Sequence, residues 1–220
     1  MSFRINYKNH LLMGGAAALL LMIPAVASDD PAGLKAFRSG DYQKAFNEWK
    51  PLADKGDANA QCNLGILFKK GLWVDRNPEE AFRLFQLSAA QGNAQAQYQL
   101  AEMYAKGWGV PQSYAAALQW TQKSSAAGDP DGENRMGWLY DEGYGVQKDP
   151  KQALYYYRLA AAKGNADAQF SLGLALEKGS GVHKDCVEAA KWLKLAAAQG
   201  NTRAQTELDS LQQKDQLVKK

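Results

Sequence analysis

The sequence is short of the residues that carry most enzyme and metal chemistry. It has two cysteines and two histidines in 220 residues. That is too few for a cysteine-rich disulfide scaffold, or for a zinc site built from the usual nitrogen and sulfur ligands. A surplus of one charge is also missing, since 26 Lys+Arg face 23 Asp+Glu. A dedicated nucleic-acid binder carries a concentrated basic face. None is visible, so no nucleic-acid partner is expected. The 46% hydrophobic share and only seven prolines exclude collagen-like and extensively disordered classes.

Long hydrophobic runs are absent except for one. Met1 to His10 carries Arg4 and Lys8 and no acid, Leu11 to Ala27 runs 17 residues without charge, and Ala25-Val26-Ala27 precedes Ser28. A basic segment, an apolar segment and an A-x-A site are the three parts of a secretory signal. Residues 1–27 are therefore predicted to direct export to a periplasm or beyond the cell and to be removed. The alternative is an uncleaved inner-membrane anchor. Seventeen residues broken by Gly14, Gly15 and Pro24 sit at the short limit for crossing about 30 Å of hydrocarbon. Loss of Arg4 and Lys8 leaves 24 basic against 23 acidic residues, and no membrane insertion is expected afterwards.

What the sequence does have is a period. Gly56, Gly92, Gly128, Gly164 and Gly200 are each 36 apart. Gly71, Gly107, Gly143 and Gly179 keep the same step, as do Ala81, Ala117, Ala153 and Ala189. Four units follow without insertion: 57–92, 93–128, 129–164 and 165–200. Each reads as two helices, A and B. In the second unit Ala96, Leu100, Ala101 and Tyr104 make one apolar helical stripe, and Gly107 ends helix A as a left-handed cap. Asn77, Ser113, Asp149 and Asp185 are good N-caps for helix B. Pro78 and Pro150 follow two of them, in the position where proline is favoured. Glu80, Gln152 and Glu188 stand where a capping box would complete them.

Gly65, Ala101, Gly137 and Gly173 mark close helix approach. The ladders Phe68/Tyr104/Tyr140/Leu176 and Leu84/Trp120/Tyr156/Trp192 are expected to supply the large partners. No unit buries its stripe alone, so the units are predicted to stack into an all-α, α/α solenoid. Residues 28–56 read as a degenerate leading pair, Gly33 to Ser39 and Tyr42 to Lys55, with Pro51 expected to kink the second helix. Residues 201–220 read as a capping helix to about Gln213 and a charged tail.

Ala96-Gln97-Tyr98-Gln99-Leu100-Ala101, Gly107-Trp108-Gly109-Val110, Ala117, Trp120 and Ala126-Ala127-Gly128 resemble the Sel1-like repeat, a relative of the tetratricopeptide repeat. The resemblance covers 57–200 fully and the ends more loosely. It implies a scaffold or adaptor, often exported in bacteria, or an immunity protein that blocks a delivered antibacterial effector. A cysteine-rich branch of the family is associated with β-lactam binding or hydrolysis. This chain lacks that branch's paired cysteines, which makes a hydrolase the least favoured reading.

A solenoid offers its concave face, lined by helix A, and its loop edge. The helix A positions that vary most are Asn63, Ile66 and Lys70; Gln99, Glu102 and Lys106; Arg135, Trp138 and Glu142; and Ser171, Leu174 and Lys178. Trp138 beside Arg135 is the expected anchor, because these residue types dominate interface hot spots. Packing between repeats is the other role open to Trp138. On the loop edge stand Trp73, Trp108 and Tyr144, where the family usually has a polar residue. An exposed apolar patch there signals an interaction site; the alternative is that these rings fold back onto neighbouring loops.

No catalytic constellation is visible. After removal of the signal His183 is the one histidine, and Ser180 and Asp185 flank it within a single polar loop. Gly107-x-Gly109 lacks the third glycine, lysine and strand of a phosphate loop. Cys62 and Cys186 lie three repeats apart, too far for a disulfide within the chain; both are expected free, with pairing between chains the alternative. The sequence therefore predicts an exported monomer that binds another protein, with no cofactor, no metal and no chemistry of its own.

Overall fold

The computed structural model describes residues 31–218. Eleven helices fill them: α1 (Pro31–Arg38), α2 (Tyr42–Asp54), α3 (Ala58–Lys70), α4 (Pro78–Ala90), α5 (Ala94–Lys106), α6 (Tyr114–Ala126), α7 (Pro130–Glu142), α8 (Pro150–Ala162), α9 (Ala166–Lys178), α10 (Cys186–Ala198) and α11 (Thr202–Val218). Helices α3 to α10 form the four A/B pairs, and each is packed chiefly against its chain neighbours. None of the helices is long and apolar enough to cross a membrane. The predicted signal or anchor lies outside the described residues. Helix α2 falls within its predicted span of Tyr42 to Lys55, and the C-terminal helix is longer than predicted. Helix α2 continues through Pro51 to Asp54, and α11 runs to Val218 rather than to about Gln213.

The helix boundaries follow from local chemistry. Asp57, Asn93, Asp129 and Asn165 each accept an N–H of the first turn of a helix A. Asn77, Ser113, Asp149 and Asp185 do the same for each helix B. Gly71, Gly107, Gly143 and Gly179 end helix A in the left-handed conformation. The capping box does not form. Each helix B cap donates its own N–H back to helix A, as Asn77 does to Phe68 O at 3.0 Å and Asp149 to Tyr140 O at 2.9 Å. Glu80 instead pairs with Arg83, and Glu188 accepts from Trp192.

Within a unit, helix A presses on helix B through its small residue. A Cβ at Gly65 would lie 2.6 Å from the Phe85 ring, one at Gly137 2.6 Å from Tyr157, and one at Gly173 2.7 Å from Leu193. The large partners are therefore Phe85, Tyr157 and Leu193. They stand one residue beyond the expected Leu84/Tyr156/Trp192 ladder, and one helical residue is a turn of about 100°. Between units, polar ladders set the register. Gln61, Gln97 and Gln169 donate to the carbonyls of Ala53, Ala89 and Ala161. Asn93, Asn165 and Asn201 donate across to residues 59, 131 and 167 of the preceding helix A.

Candidate functional site

The array departs most from its repeat in α5 and α6 of the second unit and where α6 meets α7 of the third. Thr121 replaces the large Phe85, Tyr157 and Leu193, and Ala101 replaces the glycine opposite. As a result α6 buries only Ala117, Thr121 and Ser124, all small. Ala127 stands where Gln91 and Gln199 donate to Gln61 and Gln169 at 2.9 and 2.8 Å. Gln97 Oε1 is accordingly buried with no hydrogen-bond partner. Asp129, like Asp57 before the first unit, stands where Asn93, Asn165 and Asn201 make the register bond, and a carboxylate has no proton to donate. Core clusters fall on either side. One holds Phe85, Leu100 and Met103 with Trp120 at its margin; another holds Leu154, Tyr157 and Leu172 with Tyr140 at its margin.

Two glycines report the resulting tilt. Gly132 occupies a position that is alanine in the other units, and a Cβ there would come within 2.8 Å of Ser124 Cβ. The two helices are thus pinched together where the chain turns from α6 into α7. At the far end they separate. The equivalent loop glycines of the second and fourth units, Gly109 and Gly181, lie so close to the preceding helix B that a Cβ would be 2.5 Å from the Pro78 and Pro150 carbonyls. Gly145 meets only the tip of Leu118, at 3.2 Å. The splayed end is a groove of about 980 Å³. Its walls are Tyr98, Glu102 and Lys106 from α5, Tyr114, Leu118 and Thr121 from α6, and Arg135, Trp138 and Leu139 from α7, with Tyr144 at the mouth.

The groove is aromatic with a charged rim. The Arg135 guanidinium lies 4.2 Å from the centre of the Trp138 ring, and the Trp138 and Tyr144 rings are 5.0 Å apart. Glu102 accepts from Lys69 at 2.7 Å and from Lys106 at 3.2 Å. Burial works to raise its pKa, but those two ammonium groups outweigh it and hold the carboxyl below the usual range. The Tyr98 phenol is pushed up, first by burial and then by the charges of Glu102 and Asp131. It is a hydrogen-bond donor at any physiological pH.

Of the residues singled out from the sequence, Glu102, Lys106, Arg135, Trp138 and Tyr144 meet in this groove. Gln99 accepts from Lys69 at 2.6 Å, and Glu142 is exposed outside the lining. Trp73 and Tyr144 are exposed, at 57% and 56%, but Trp108 is not part of a continuous exposed edge. Its ring is half-buried against the core of the first two units, with Lys106 4.3 Å from its centre. The close approach of Gly109 to Pro78 draws that loop inward. Tyr98, Tyr114, Leu118 and Thr121 went unnoticed in the sequence. The signal was their unit's departure from the repeat at 114 and 121.

His183 is exposed in its loop. Asp185 is engaged as the α10 cap, accepting from Val187 and Glu188. Both cysteines are free, Cys62 buried and Cys186 exposed. Burial, with the charge of Asp129 adding and that of Lys69 opposing, pushes the Cys62 thiol up to about 12.

The Sel1 repeat profile matches residues 58–93, 94–129, 130–165 and 166–201. A Sel1 repeat protein from Oxalobacter formigenes is 34% identical with a TM-score of 0.68, over 76% of this chain and 49% of that one. A protective antigen of uropathogenic Escherichia coli displaying an SLR fold is 30% identical with a TM-score of 0.66, over 80% of this chain and 38% of that one. The chain thus spans half or less of the length of these two proteins. An immunity protein of Pseudomonas aeruginosa shares the fold at 24% identity and a TM-score of 0.57, over 80% of this chain and 68% of its own. No curated protein matches the chain. Four contiguous matched units, on a fold of stacked helix pairs, place the chain in the Sel1 repeat family, whose fold is typical of protein–protein interaction.

Proposed function

We propose that this chain is an exported, non-enzymatic binding protein, a monomer that receives a segment of another protein in the groove between the second and third repeats. Its role is that of an envelope adaptor or regulator. One observation carries the reading: Ala101, Tyr114 and Thr121, three departures from the repeat, line an aromatic groove of about 980 Å³. Repeat arrays gain stability from each copied interface. A unit that gives up the large side chain at 121 has traded buried packing for an opening. Its size is that of a ligand site, and Trp138 with Arg135 supplies the residue types that dominate hot spots. The lining includes no histidine, cysteine or serine, and the Thr121 hydroxyl is spent on the Ala117 carbonyl at 2.8 Å. These features favour binding over catalysis.

An immunity role is the second reading. The Pseudomonas neighbour carries that name, and at 24% identity the likeness is one of fold. The two roles share the groove and differ in the origin of the partner. A photo-crosslinking residue placed at Tyr144, with another at the exposed Leu195 of α10 as control, tests both. An adduct with a resident envelope protein from Tyr144 alone supports the adaptor role. An adduct with a delivered effector supports immunity. Equal adducts from both positions overturn the groove as the site.

A further inference from the structure

We propose that the groove reads an acidic side chain, an Asp or Glu inside the partner segment with an apolar neighbour, and that Arg135 is the residue that holds its carboxylate. This deepens the groove reading above and rests on it.

Charge is distributed unevenly along the groove. Its own carboxylate, Glu102, is saturated by Lys69 and Lys106, at 2.7 and 3.2 Å. Asp131, one turn before Arg135 on α7, accepts from Asn165 at 2.7 Å. Arg135 is left over. It is half-buried, yet among the described residues it has no ion pair and no hydrogen bond. Its charge faces the Trp138 ring and also acts on the Tyr98 phenol across the groove. A guanidinium has five N–H donors in a fixed plane. The Trp138 ring accepts no conventional hydrogen bond from these donors, so they stay available in the groove that Arg135 lines, and a planar fork of this kind matches a carboxylate with two parallel bonds.

Two further features suit the same ligand. The Tyr98 phenol, held protonated by its surroundings, is a second donor among the lining residues. Leu118, Leu139 and Tyr144 offer an apolar wall for the side chain next to the acid. A lysine-bearing segment fits poorly, because the free charge in the groove is already positive.

The test is a selection from displayed random 12-residue peptides, closed at both ends by fixed sequence, against the full chain. Parallel selections use Arg135→Gln, Arg135→Lys and Leu118→Trp, the last to fill the groove. Among the described residues the Arg135 guanidinium makes no hydrogen bond, so Arg135→Gln should keep the wild-type melting temperature but for the small contribution of the Trp138 contact. The expected result is enrichment of Asp or Glu beside Leu, Phe or Tyr on the wild type. Replacing the acid by its amide, or Arg135 by Gln, should weaken the selected peptides about 10- to 100-fold. Arg135→Lys should recover only part of the loss. Groove-dependent peptides without an acid, or with unchanged affinity for Arg135→Gln, overturn this inference and leave the groove standing. Peptides indifferent to Leu118→Trp, or none at all, overturn the groove reading together with it.

Discussion

Ala127→Gln should stabilise the protein by about 1 kcal/mol. Gln97 is 7% exposed, and its Oε1 has no partner. In the neighbouring units Gln91 and Gln199 donate to the equivalent oxygen at 2.9 and 2.8 Å. The backbone is already suited, since Ala127 has φ −81 and ψ 0 against φ −88 and ψ 4 at Gln91. A net hydrogen bond contributes about 0.5–1.5 kcal/mol, and relief of a buried unpartnered acceptor adds to that. Fixing the new side chain offsets part of the gain. Helix propensity alone predicts the opposite sign, because alanine is the best helix former. Thermal melts followed by circular dichroism should rise about 2–4 °C, the shift expected of about 1 kcal/mol in a domain of this size. The control is the same substitution in a Gln97→Met background, where no acceptor remains. A gain of equal size there, or none in the wild type, refutes the reasoning.

Glu133 takes the place of a ladder glutamine and pairs with Lys163 at 2.6 Å, with the carboxylate 4% and the lysine 41% exposed. Lys163→Ala should destabilise by about 2–3 kcal/mol by stranding a buried charge, and by much less in a Glu133→Gln background; a urea-denaturation double-mutant cycle measures the difference. Gly132→Ala should destabilise by about 1 kcal/mol or more despite better propensity, since its methyl meets Ser124; a stabilised variant in the same denaturation assay would show that α6 and α7 are not pinched. A disulfide-exchange reagent at pH 8 should label Cys186 at once and Cys62 only on unfolding. Because the folded Cys62 thiol is raised from 9.0 to about 12, its contribution to stability is full below about pH 9. It is lost as pH rises towards 12, since the unfolded chain ionises first. Melting temperatures across pH 8–11 that do not fall more for the wild type than for Cys62→Ala would contradict this.

Most of the fold was legible because repeat chemistry is local. Each cap, closing glycine and apolar stripe sits within one turn of the backbone it governs, and the 36-residue step repeats the signal four times. What escaped was relational. The capping box was read from Glu80 and Glu188, but the cap N–H groups turn back to helix A, a tertiary fact. The ladder opposite the glycines was read one residue early, because facing helices choose their own rotation. Arg135, Trp138 and Tyr144 stood out by residue type and do meet in space. Trp108 stood out equally, and a loop glycine folded it inward. Tyr114, Thr121, Ala127, Asp129 and Gly132 are unremarkable residues one by one. They became informative only as differences from their columns, once the bonds those columns make were known.

The central claim is that these differences build the binding site. The direct test is to write the junction back to the repeat: Tyr114→Pro, Ala101→Gly with Thr121→Tyr, Ala127→Gln, Asp129→Asn, and Gly132→Ala with Ser124→Ala. Partner capture at a photo-crosslinker outside the groove mouth, at Trp73, is then compared between this chain and the wild type. The account predicts a helical, more stable chain that no longer holds the partner. A chain equally folded with undiminished capture would contradict it.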